Sequence, residues 1–334
     1  MRGLRKYLTP FAPDQSGAVS VLFELGGIVV ICDAGGCTGN VCGFDEPRWF
    51  EQKSAIFSAG LRDMDAILGR DDRLVAKLAD VVQKIDATFV AVIGTPVPAV
   101  IATDYLALKR MSEKKIKLPI LTVDTDGMEL YDKGEEKAFL ELFKIFAIEK
   151  YQAEEDRIGI LGMTPQDVSD LDAADKIRDL YQQKYGKQAV CYCMGDGLEE
   201  IREASSVSRN IVVSPAALMT AKYLEKTFGT PYEIHYPLVD ELIPDVDYTG
   251  KEVLIVHQQV IANSIRKELL KKGAKRVQIA SWFMMKKELL ADGDVLLRDE
   301  DAYIELVQNG DFDIIFADGC MAVSYTHLTL PTIA

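Results

Sequence analysis

The stretch "GGIVVICDAGGCTGN", residues 26–40, runs from a β-branched segment into a Gly-rich turn that carries Cys32 and Cys37, with Cys42 close behind. "GIVVIC" reads as a strand, and comparable short runs recur along the chain. They are "TFVAVIG" (88–94), "LPILTVD" (118–124), "RIGILG" (157–162), "QAVCYC" (188–193), "NIVVS" (210–214), "EVLIVH" (252–257), "RVQIAS" (276–281) and "DIIFAD" (313–318). Segments of helical periodicity fall between them, such as 72–85, 135–150, 173–186, 218–229 and 264–273, several of them ending in Gly. Strands alternating with helices through short connections specify an α/β fold of parallel sheets flanked by helices. Nine such strands exceed one small sheet, so the chain is expected to hold several Rossmann-like units.

Two composition shifts suggest boundaries. The acidic "YQAEEDR" (151–157) closes a first α/β domain, 1–152, which carries the Cys-rich loop. "PLVDELIPDVDYTGKEV" (237–253) links a second Rossmann-like domain, 153–246, to a third, 247–322. That third domain has only three candidate strands, so it is read as incomplete. After Asp318 no acidic or basic side chain other than His327 follows, and "SYTHLTLPTIA" continues neither strand nor helix. Residues 323–334 are therefore expected to be a non-native tail.

The 334 residues suffice for two or three domains, and a net charge of −14 argues against a phosphate-dominated nucleic-acid partner. The two most apolar stretches are interrupted by Glu24 and a Gly pair in one case and by prolines in the other. No membrane span is expected, and Pro10, Pro13 and Asp14 break the N-terminus before any signal-peptide core. Six cysteines in a chain of this length make no disulfide framework, so cytoplasmic thiols are expected.

The cysteine spacing is C-x4-C-x4-C. Zinc ribbons and fingers favour C-x2–4-C pairs with a second pair downstream, which is missing here. Iron–sulfur clusters also take thiolates but tolerate more varied spacing and accept ligands from two chains. Glycines 35, 36, 39 and 43 allow backbone to approach a bulky inorganic group. The alternative is a Gly-rich loop whose thiols are simply packed.

The chain resembles the nitrogenase component 1 family: molybdenum–iron protein subunits, cofactor-assembly scaffolds and reductases of tetrapyrrole synthesis. The resemblance runs from "APDQSGAVSVLFEL" through "GGIVVICDAGGCTGN" and "SAIFSAGLRDMDAILGRDDRLVAKLADVV" to "TFVAVIGTPVPAVIATD". It continues in "RIGILGMTP", "CYCMGDGLEEIREA", "RNIVVSPAAL" and "GKEVLIVHQQVIANSIRKELLKKGA". It covers essentially residues 11–320 and lacks the family's C-terminal part. The family's interface-cluster "G-C" falls on Gly36–Cys37. The other two ligand positions fall around Pro13–Ser16 and on Thr95, neither a cysteine. The thiolate position of the substrate-reducing cofactor falls near Ser214, again without a thiol. The resemblance thus implies an iron–sulfur cluster held by Cys37 with Cys32, Cys42 or both, either completed across a homodimer or heterodimer or held by three thiolates of one loop with one exogenous or partner ligand. It implies no molybdenum cofactor and no dinitrogen reduction.

Other residues are candidates of a second rank. Alternation along "QAVCYC" would put Cys191 and Cys193 on one face, beside a Gly-Asp-Gly turn opening a helix. With Ser214 they form a possible second site, set against a simply packed strand end. In "FDEPRW", Arg48 is placed to balance a cluster's charge, while Asp45 or Glu46 acts as proton donor or helix cap. Thr95 offers a hydroxyl to a cluster sulfide, or else shapes a tight turn. GxGxxG and Walker A patterns are absent, so neither NAD nor ATP binding is supported.

The expected function is an iron–sulfur oxidoreductase component that receives electrons from an ATP-dependent iron–sulfur reductase and reduces an unidentified substrate. The alternative is a non-catalytic scaffold or partner subunit for metallocofactor assembly. A metal-free α/β protein binding a small ligand is the third reading.

Overall fold

The computed structural model describes residues 7–52 and 54–321; the expectation for 323–334 lies outside them. All nine expected strands are present, with three more, in three parallel four-stranded sheets. The first contains β1 (Ile28–Ile31), β2 (Ala55–Ser58), β3 (Val90–Ile93) and β4 (Ile120–Val123) in the order β2-β1-β3-β4. The second contains β5 (Glu154–Leu161), β6 (Gln188–Cys191), β7 (Val207–Val212) and β8 (Tyr232–Ile234) in the order β6-β5-β7-β8. The third contains β9 (Glu252–Val256), β10 (Arg276–Ser281), β11 (Val295–Leu296) and β12 (Ile314–Phe316) in the order β11-β10-β9-β12. In the first sheet Ile28 faces both Ala55 and Val90, and Val90 faces Ile120, so all four strands end along one edge.

The helices are α1 (Asp14–Leu22), α2 (Gly36–Asn40), α3 (Asp63–Leu68), α4 (Asp71–Val82), α5 (Pro96–Val100) and α6 (Tyr105–Glu113). There follow α7 (Tyr131–Phe146), α8 (Ala173–Tyr185), α9 (Leu198–Arg202), α10 (Leu218–Phe228), α11 (Gln259–Lys271) and α12 (Glu300–Asn309). Among the described residues no helix is long and apolar enough to cross a membrane.

The chain forms two compact units. Among the described residues, the larger comprises Ala12–Asn210 and Ala216–Tyr232, and the other takes 7–11, Ile211–Pro215 and 233–321.

Every residue of β1 and β3 is buried, as expected of inner strands covered on both faces. On one face Leu74, Val75 and Leu78 of α4 and Leu108 of α6 pack against Ile28, Val30, Val90 and Val92. The other large contact of this unit is α1 on α7, where helix meets helix almost backbone to backbone. A Cβ on Gly17 would lie 2.0 Å from the Tyr131 carbonyl oxygen, and one on Gly134 would lie 1.7 Å from that of Asp14. Only glycine fits at either point. The crossing is fastened where Asp14 enters α1: its carboxylate accepts the Asp126 and Gly127 amides at 2.9 and 2.7 Å.

Candidate metal centre

β1 delivers Cys32 into the core rather than into a loop. Its amide still donates to Ile93 O at 2.9 Å, and its side chain packs with the α4 and α6 residues. Burial, reinforced by Asp71 and Asp33, pushes this thiol up to about 12. Asp33 then turns the chain. Its carboxylate accepts the Thr38 amide at 2.7 Å, the Thr38 hydroxyl at 3.0 Å and the Ser58 hydroxyl at 2.5 Å. One buried side chain thus closes the 33–38 loop and ties the end of β1 to the end of β2. Gly35 precedes α2 at φ +121°, a conformation L side chains rarely adopt.

Cys37 is the second residue of α2 and is half-buried. Burial is the main force raising its pKa, Asp33 adds to this, and Thr95 opposes both. The Thr95 hydroxyl also donates to Cys32 O at 2.7 Å, so this residue pins the end of β1 against the start of α5. Cys42 follows in a π turn, Val41–Asp45, and is half-buried as well; burial and then Glu46 raise its pKa. Single π turns occur often at functional sites. Above glycines 35, 36, 39 and 43 a Cβ would meet no atom within 4 Å, so the loop's backbone faces open space.

The three thiols do not meet at one point. Among the described residues, no group of three or more His, Cys, Asp or Glu side chains is arranged to hold a metal ion. The accessible pair is Cys37 and Cys42, whereas Cys32 is a core residue.

Arg48 is committed elsewhere. It is buried, with Nε and Nη2 donating to Glu46 at 2.7 and 2.8 Å and Nη1 to Glu24 at 2.8 Å. It also reaches Ser20 O at 2.7 Å and Cys193 O at 3.1 Å. Its charge balances two carboxylates and binds α1 to the 193–195 turn. Glu46 accepts the Arg48 amide as cap of the following 3-10 turn, Pro47–Phe50.

The second candidate group divides. β6 stops at Cys191, and Cys193 takes a left-handed conformation, φ +66°, so strand alternation does not carry over to it. Both thiols are fully buried, and burial pushes that of Cys191 up to about 12. Ser214 is buried and belongs to the other unit. Because thiol reactivity follows exposure and thiolate character, alkylation of the native protein should modify Cys37, Cys42 and the exposed Cys320. Cys32, Cys191 and Cys193 should react only after denaturation, which peptide mass spectrometry reads directly.

Two features had no sequence signal of their own. Asp33 is one, although an Asp directly after a strand commonly folds the next turn. The other is a set of exposed apolar side chains on the segments leaving the C-terminal edge of the first sheet. Phe44, Met64, Val97, Val100, Leu106 and Met128 are all exposed there, Phe44 and Val100 by 83% and 85%.

The profile of the nitrogenase component 1 type oxidoreductases matches residues 14–240. The nitrogenase iron-molybdenum cofactor biosynthesis protein NifE of Clostridium pasteurianum is 29% identical over 181 residues, 53% of this chain and 38% of that protein. NifE of Bradyrhizobium diazoefficiens is 22% identical over 185 residues, 53% of this chain and 32% of that protein. The matched region thus spans well under half the length of either relative. The solved structure "Nitrogenase Cp1 at pH 6.5" superposes with a TM-score of 0.73 at 12% identity, covering 100% of this chain and 86% of its own. "Nitrogenase Cp1 at pH 5" gives 0.63 at 15% identity, covering 93% and 72%. At these identities the likeness is one of fold, and the three sheets are its substance. Profile and fold agree that this chain is a member of the nitrogenase component 1 type oxidoreductase family.

Proposed function

We propose that the chain is an iron–sulfur-binding scaffold or partner subunit in metallocofactor assembly, with its cluster bound at Cys37 and Cys42 against a second subunit. The observation that carries this reading is the setting of Cys37. It is a half-exposed thiol on a Gly-lined loop, at the sheet edge whose departing segments bear the exposed apolar side chains. One chain offers two accessible thiols at this loop, and a cluster with four thiolate ligands needs twice that number. A two-fold pair would supply them and would cover the apolar side chains. Cys32 enters this proposal as a packing residue behind the loop. Metal binding would displace the thiol protons, so affinity rises with pH.

The similarity to two NifE proteins, named for cofactor biosynthesis, favours assembly over substrate turnover. The second reading is an electron-accepting oxidoreductase served by an ATP-dependent iron–sulfur reductase, and the family's oxidoreductase description favours it. Both readings place the protein in the cytoplasm. Protein reconstituted without oxygen separates them. Under the assembly reading its cluster passes to an apo-acceptor without ATP. Reduction that depends on a cognate reductase and ATP, with no transfer, would overturn that reading in favour of the second.

A further inference from the structure

A cavity of about 390 Å³ lies between the exit of β8 and α11, and every residue lining it belongs to the unit that contains 233–321. That volume is in the range of small-molecule sites. Ser264, Lys267 and Glu268 are spaced i, i+3 and i+4, so they line it from one face of α11. Ile234, His235, Tyr236 and Val239 line it from the segment that leaves β8. Ser264 ties the two sides together: its hydroxyl accepts the Tyr236 amide at 2.8 Å and donates to Val260 O at 2.9 Å. The residue before Tyr236 and the helical turn after Ser264 are thereby held at one cavity.

Three polar groups of this lining are left for a ligand. Lys267 is exposed and has no ion-pair partner among the described residues. The His235 amide donates to Val212 O at 3.2 Å, while its half-buried imidazole has no partner among the described residues. Burial holds that imidazole below its ordinary value, with Glu233 opposing and Lys267 assisting. At neutral pH it is a neutral ring with one N–H to donate. Glu268 gives Oε1 to Lys271 at 2.7 Å and keeps Oε2. Glu233 adds a second carboxylate, and Ile234 and Val239 supply half-buried apolar walls.

A ligand of one charge would pair with one side of this lining and leave the other desolvated and unpaired. A dianion such as inorganic phosphate would meet two carboxylates as well. A zwitterion satisfies both signs. The two charges of an α-amino acid sit on one carbon, and the Lys267 and Glu268 charges sit on consecutive residues. We propose that this cavity binds a small aliphatic α-amino acid. Its carboxylate lies on Lys267 and His235, its ammonium on Glu268 Oε2, and its side chain against Ile234 and Val239. The site shares no residue with the Cys-rich loop, so it stands whether or not a cluster binds there.

The test titrates the full chain by calorimetry with L-leucine, with isocaproate, which lacks the ammonium, and with isoamylamine, which lacks the carboxylate. One L-leucine should bind per chain, and each analogue should bind at least about tenfold more weakly, the loss of one charge-assisted contact. Lys267→Met should weaken L-leucine about tenfold and leave isoamylamine unchanged. Glu268→Gln should weaken L-leucine about as much and leave isocaproate unchanged. No binding of L-leucine up to about 10 mM, or analogues as tight as L-leucine, would overturn the proposal. So would an L-leucine affinity unmoved in both variants, which puts the ligand elsewhere. The analogue series needs only the parent chain, so it decides the matter even where a variant fails to fold.

Discussion

Gly134→Ala is expected to destabilise the larger unit by about 3 kcal/mol, the upper range for overpacking a core. The added Cβ would lie 1.7 Å from Asp14 O, 2.6 Å from its carbonyl carbon and 3.0 Å from the Ala18 amide nitrogen. All three are backbone atoms of α1, so no rotamer change relieves the clash and the helices must separate. Separation would strip contacts from Ala18, Val21, Phe139 and Leu142, which are fully buried. Gly17→Ala should act alike, its Cβ lying 2.0 Å from Tyr131 O. The two together should cost less than their sum, because either one opens the same crossing. Gly39→Ala is the control, since nothing lies within 4 Å of its Cβ; it should stay within about 0.5 kcal/mol of the parent. Denaturant midpoints check all four proteins.

Arg48→Met should cost about 3–5 kcal/mol, the range for breaking a buried ion pair from one side. The substitution keeps much of the side-chain bulk but leaves Glu46, 1% exposed, and Glu24, 12% exposed, without their cation. It also removes donors to Ser20 O and Cys193 O. The loss has a sign in pH. Protonation removes the charge stranded by the substitution, so R48M should recover stability as pH falls toward the carboxylate range. A variant equally weak at about pH 5 and about pH 8 would mean that lost packing rather than stranded charge sets the effect.

The fold was legible where burial writes continuous apolar runs. β1 and β3 are covered on both faces, and "GIVVIC" and "TFVAVIG" announce them. The three unanticipated strands, β2, β8 and β11, all sit at sheet edges and are only partly buried, so no such run marks them. α1 is hidden in the sequence for the opposite reason. It is buried on every side, so it has no polar face to give a helical period.

In the Cys-rich loop the sequence names the thiols but not their roles. A spacing of five along a strand end and a short helix does not say which thiols face inward. The strand continues through Cys32, whose amide is still bonded to β3, and this carries its side chain into the core. Arg48 sits beside Cys42 in sequence, but its partners Glu24 and Cys193 lie far from it along the chain, where no local pattern reports them. Family resemblance alone pairs Cys37 with Thr95 in the sequence; in the structure the Thr95 hydroxyl donates to Cys32 O, a link between β1 and the start of α5 that no local pattern reports.

The measurement that tests the central claim most directly is the iron and sulfide bound after anaerobic reconstitution, with the molar mass read on the same samples. The parent and Cys32→Ala should bind a full cluster complement as dimers, while Cys37→Ser should bind none. A Cys37→Ser protein that keeps the complete iron and sulfide content would contradict the account.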